Sequence, residues 1–126
     1  RLDPPRRIDR ARLDAGEPPS RLQTRGFMLR LPSINGTVTS LLVSAVVYYG
    51  RSLGLEVRVA EIHDLWLMTP QVIVTGSPSA VSRFETDVLR ACTFLESGGL
   101  GDIDPCSEPL RYAEMFSYWL AQQSVA

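Results

Sequence analysis

The stretch that most constrains this chain is Thr37 to Leu53. Val38, Leu41, Leu42, Val43, Ala45, Val46, Val47, Tyr48 and Tyr49 leave it almost no polar side as a helix. A helix that is apolar nearly all round has to be covered on more than one flank. A chain of 126 residues has one core to offer, so the expectation is that one flank meets the chain's own sheet and the other meets a second subunit.

The neighbouring segments fall into a strand, helix, strand, strand, helix order. The first strand spans about Gln23 to Leu31 and stops at Pro32, which has no N–H for a ladder. Ser33-Ile34-Asn35-Gly36 is turn chemistry, and Thr37 suits a helix N-cap. After Gly50 and Gly54, the alternation of Leu55 to Ala60 predicts a half-buried strand, and Gln71 to Thr75 predicts its partner. The link between them, Glu61 to Pro70, is too long and apolar for a two-residue turn; its tip is expected near Met68 to Gln71.

Ser77 or Ser79 caps a second helix ending near Leu95, with Val81, Phe84, Val88, Leu89, Cys92 and Leu95 inward and Arg83, Glu85, Asp87 and Arg90 toward water. No convincing fourth strand follows the second helix; Leu100 to Ile103 is the stretch that could supply a short one. A last helix over 109–123 carries Tyr112, Met115, Phe116, Trp119 and Leu120, with Ser107 as its cap and Pro109 in its first turn. The fold class this order predicts is α+β: a ferredoxin-like β-α-β-β-α arrangement with an extra C-terminal helix and an extended N-terminal arm. Residues 1–23 are expected to be that Arg- and Pro-rich arm, extended or disordered, with Pro4-Pro5 and Pro18-Pro19, and 24–126 are expected to form one domain.

Charge narrows the function classes. The net charge is −1, which argues against a nucleic-acid partner gripped through the whole surface. All 13 basic residues are arginine. Arg1 to Arg30 holds eight of them against four acids, so the arm and first strand are basic and the remainder acidic. The run Val38 to Tyr49 is interrupted by Thr39 and Ser44 and is too short for a bilayer, so no membrane partner is expected. Two cysteines, Cys92 in an apolar helix and Cys106 in a loop, suit a reduced, cytoplasmic protein better than a disulfide scaffold.

Catalytic chemistry is hard to assemble from these residues. His63 beside Asp64 is the one His–acid neighbour pair, on a hairpin link where surface or interface histidines outnumber general bases. His63, Asp64 and Cys106 lack metal-ligand spacing, so no metal and no cofactor are expected. Gly98-Gly99-Leu100-Gly101 follows a helix, whereas a phosphate loop precedes one. The expectation is a non-enzymatic protein.

Two segments carry a family resemblance. Arg51-Ser52-Leu53-Gly54-Leu55-Glu56-Val57 resembles the end of the first helix and the second strand of bacterial microcompartment shell (BMC) domains. Val72-Ile73-Val74-Thr75-Gly76-Ser77-Pro78-Ser79-Ala80-Val81 resembles that family's third strand, turn and Ala-Val helix start. The resemblance implies a structural, ring-forming shell subunit, a cytoplasmic homo-oligomer (hexamer or trimer) that meets other shell subunits or cargo enzymes. It implies that Arg51 lies at the edge between rings. The segment Ile62, His63, Asp64, Leu65, Trp66, Leu67 and Met68 would stand where the family has its pore loop. That loop is usually short and rich in Gly and Ser, so Trp66, Leu67 and Met68 imply a plugged or reshaped pore.

A different class fits the same fold. An oligomeric ACT- or PII-like module binds a small metabolite, and here the turn Ser33, Asn35, Gly36 and Thr37 would hold an anion at a helix start.

Overall fold

The structure, a computed structural model, describes residues 21–31, 36–63 and 68–123, with the backbone alone over 61–63 and 68–69. Three strands and three helices follow one another as β1 (Gln23–Met28), α1 (Gly36–Ser52), β2 (Glu56–His63), β3 (Met68–Gly76), α2 (Pro78–Glu96) and α3 (Pro109–Gln123). The sheet order is β1-β3-β2 and both pairings are antiparallel, so the class is α+β. β1 and β2, joined through α1, therefore run parallel with β3 inserted between them.

Registry follows from side-chain alternation. Val57, Val72 and Val74 point to the helical side and are buried, while Thr24, Gly26, Met28, Glu56, Arg58 and Ile73 share the opposite face. On that open face Thr24 Oγ1 and Thr75 Oγ1 lie 2.9 Å apart across the β1–β3 ladder. Under the helices the ring centroids of Phe27 and Phe84 are 5.8 Å apart, joining β1 to α2.

The hairpin departs from the sequence expectation. Pairing continues through the link to His63↔Met68, so the tip is 64–67 rather than 68–71. Pro70 stands inside β3 because its place there needs only an acceptor: its carbonyl receives the Leu29 N–H at 2.9 Å, just past the end of β1. No fourth strand occurs among the described residues; 100–103 is turn, and Ile103 plugs into the core.

The covering of α1 is the larger departure. Val38, Leu42, Val46 and Tyr49 are buried, and Leu41, Val43 and Val47 are packed against the core. One flank of α1 faces β2, β3 and α2. The other is taken by α3 of the same chain, whose Tyr112, Ala113, Phe116 and Leu120 are buried. Tyr48, 74% exposed, is the one large hydrophobic side chain of α1 left to solvent. The apolar girth of α1 thus gives no ground by itself for a second subunit, because the C-terminal helix supplies the cover.

Helix ends obey local chemistry. Gly54 (φ +84°) and Gly98 (φ +80°) take the left-handed conformation that stops α1 and α2. Ser77, not Ser79, caps α2 by accepting the Ala80 N–H at 3.2 Å. Before α3, the Ser107 hydroxyl donates to Asp104 instead of capping the helix, at 2.7 Å. That bond, helped by the Cys106 N–H, holds the Asp104 carboxyl below its ordinary pKa.

Phe116 is fully buried on the cover of α1. Phe116→Ala is expected to cost about 3–5 kcal/mol in urea unfolding. An unchanged midpoint would show that α3 is dispensable.

Candidate functional site

The sequence-selected residues do not converge. Arg51 is exposed in the last turn of α1, where a cation suits the helix C-terminus. Ile62 and His63 end β2 and Met68 begins β3, while Asp64, Leu65, Trp66 and Leu67 lie outside the described residues. Of the anion-turn candidates, Gly36 and Thr37 open α1 and are exposed; Ser33 and Asn35 lie outside the described residues. Among the described residues no group of three His, Cys, Asp or Glu side chains is placed to hold a metal ion.

A buried polar cluster stands elsewhere, at residues the sequence reading had turned to water. Asp87 is 2% exposed on α2. Its Oδ2 accepts from the Tyr49 hydroxyl of α1, and from Arg83 Nε at 2.9 Å. Arg83 Nη2 in turn donates to the carbonyl of Gln123, at the end of α3, at 2.6 Å. One carboxylate and one guanidinium thus tie all three helices. Position 87 lies three residues after Phe84 and four before Ala91, both fully buried, so its place on the apolar stripe was readable from spacing. Burial, then the Asp87 hydrogen bond, raise the Tyr49 pKa above the ordinary tyrosine value.

An open polar groove of about 610 Å³ runs beside this cluster, lined by Ser79, Ser82, Thr86 and Arg90. Arg83, Asp87 and Gln123 line this groove as well, with the Arg83 side chain 40% exposed while it bonds Asp87 and Gln123, so the clamp itself forms part of the groove wall.

A second groove, of about 460 Å³ and more enclosed, lies between β1 and α2. Its floor is β1 from Gly26 onward, and its wall is Glu85, Val88, Leu89 and Cys92. Leu89 is 59% exposed here, although spacing had placed it in the core, and Met28, 52% exposed, lies at the same edge on the opposite face of the sheet. Leu89 lies one position beyond the buried stripe of Val81, Phe84 and Val88.

The backbone of this edge can be assigned. The Leu29 N–H to Pro70 carbonyl bond makes the odd residues of β1 the ones that bond β3. The N–H and C=O groups of Thr24, Gly26 and Met28 therefore point away from the sheet, and no described strand pairs with them. Next along, the Arg30 N–H is taken by the Cys92 sulfur. Arg25 Nη1 and Glu85 Oε1, 2.7 Å apart, span the groove's other end. Burial pushes the Cys92 thiol up to about 11, which keeps it protonated and unreactive at neutral pH.

The other sheet edge is guarded differently. β2 carries exposed Glu56 and Arg58, charges of the kind that discourage edge pairing. The open part of β1, Thr24, Gly26 and Met28, carries none.

Tyr49→Phe leaves the buried Asp87 short of one donor and is expected to cost about 1–3 kcal/mol. A tyrosine whose folded pKa is raised stabilises the fold below about pH 10, and that stability falls as pH climbs beyond it. Urea unfolding at neutral and alkaline pH should show a shallower alkaline loss in Tyr49→Phe; Tyr112 and Cys92, also shifted upward, keep some of it.

Comparison with known proteins finds no matching family model, no curated relative and no similar solved structure.

Proposed function

We propose that this chain is a non-enzymatic assembly domain of ferredoxin-like topology that works as a homo-oligomer. The observation that carries the reading is the open β1 edge and the apolar groove beside it. In a ferredoxin-like fold a fourth strand following α2 pairs with β1. Here the chain leaves α2 at Ser97 and crosses to α1 as a helix instead. That choice covers α1 and leaves the β1 edge without a partner strand among the described residues. Edge strands with few unpaired charges pair with other strands readily; the one charge within β1, Arg25, is held by Glu85, and the nearby exposed Met28 and Leu89 add apolar area that association would remove from water.

The shell-subunit form of this reading rests on the resemblance of 51–57 and 72–81 to microcompartment shell domains. In that form Arg51, exposed and pointing off α1, would contact the neighbouring ring. The metabolite-binding alternative places an anion at the turn Ser33, Asn35, Gly36 and Thr37, of which Gly36 and Thr37 are described and exposed at the start of α1; no observation favours it over the assembly reading.

Light scattering of the full chain is expected to give a multiple of the chain mass. A single-chain mass across the accessible concentration range would overturn the homo-oligomer. If the assembly is of the shell type, electron micrographs should show closed rings, and Arg51→Asp should abolish ring-to-ring contact without opening them. Particles without rotational symmetry would count against that form.

A further inference from the structure

We propose that the partner at the β1 edge is a second copy of this chain, joined by antiparallel pairing of the two β1 strands about a two-fold axis at Gly26. This rests on the homo-oligomer reading and specifies its surface.

Hydrogen-bond parity selects the register. The outward groups belong to even residues, so even must face even for the strands to bond. With Gly26 opposite the partner's Gly26, Thr24 falls opposite the partner's Met28, and every outward N–H and C=O of the stretch finds its complement. Moving the axis to Arg25 would set two arginines directly opposite each other. Moving it to Phe27 would turn Thr24 toward the partner's Arg30, whose N–H is already held by Cys92. Gly26 at the axis also leaves the open face free of side-chain crowding where the two strands come nearest.

Charge agrees with this partner. In the chosen register Arg25 lies opposite the partner's Phe27, and the Arg25 residues of the two copies sit diagonally across the axis. Each already holds its own Glu85 at 2.7 Å, so the axial cluster has equal numbers of both signs. An isologous contact needs such self-complementarity. The groove then receives side chains from the partner's α2: Leu89, 59% exposed in one chain, reaches across the axis toward the partner's Leu89. The product is a continuous sheet through both copies, its ends formed by the charged β2 edges, which closes the assembly at two along this direction.

The decisive experiment uses sedimentation velocity on the full chain and three substitutions. Met28→Pro removes an outward donor while leaving the bonds to β3 intact, and Leu89→Glu puts like charges across the axis. Each is expected to weaken self-association by about tenfold or more, equivalent to about 1.4 kcal/mol, with unchanged far-ultraviolet circular dichroism. Gly26→Cys in a Cys106→Ser background is expected to form a disulfide-linked dimer under mild oxidation. Directly opposed residues on bonded strands lie about 5.5 Å apart at Cα, within disulfide range. An oligomer that keeps its mass in both Met28→Pro and Leu89→Glu, and does not cross-link through Gly26→Cys, overturns this surface while leaving the homo-oligomer intact. A wild-type chain that sediments as a monomer at every concentration overturns both. Cross-linking together with dissociation by either edge substitution supports the proposal.

Discussion

Everything in this fold depends on covering one helix from two sides. α1 carries apolar side chains around nearly its whole circumference, and leaving either flank wet would forfeit much of the burial that stabilises so small a domain. The sheet and α2 take one flank, and α3 takes the other. Because α3 is spent on that task, the stretch after α2 is not free to return as a strand. The β1 edge that no described strand pairs and the buried α1 are therefore two results of the same allocation of chain.

Apolar packing alone would let α3 slide along α1. Two directional features oppose this. Phe94 and Trp119 stack with ring centroids 4.6 Å apart and planes 12° apart, fixing α3 against the C-terminal half of α2. At the opposite end, Arg83 reaches from α2 to the carbonyl of Gln123 while its Nε holds Asp87. A buried carboxylate tolerates its place only when its oxygens are bonded, and here the donors come from two helices. The geometry makes the polar group a registration device, since displacement of α1 or α2 would strand it.

Much of this architecture was legible in the residues. Order and type of all six elements followed from periodicity and from breakers such as Gly54 and Pro78, and element ends differed by few residues except in the hairpin. There, apolar residues in the link hid the continuation of the ladder, because a half-buried strand and an apolar loop look alike over so short a run. The destination of α3 was not legible. An aromatic stripe states that a helix must dock without stating on what, so the second flank of α1 was assigned to another subunit. Asp87 and Leu89 exchanged their expected environments for a related reason. Charge and hydrophobicity were weighted above angular position, although spacing from Phe84 and Ala91 places 87 inward and 89 outward. The β1 edge is not legible in the residues at all, since an edge is a property of strand order and not of any one residue.

The placement of the two thiols has a practical consequence. Cys106 is exposed and Cys92 is buried against the β1 edge, with its sulfur bonded to the Arg30 amide. An alkylating reagent therefore meets two sites of very different accessibility. The slow site lies beneath the groove, so its labelling rate reads the opening of β1 from α2 as distinct from unfolding of the whole molecule. The chain thereby carries an intrinsic timer at the seam that no described strand covers.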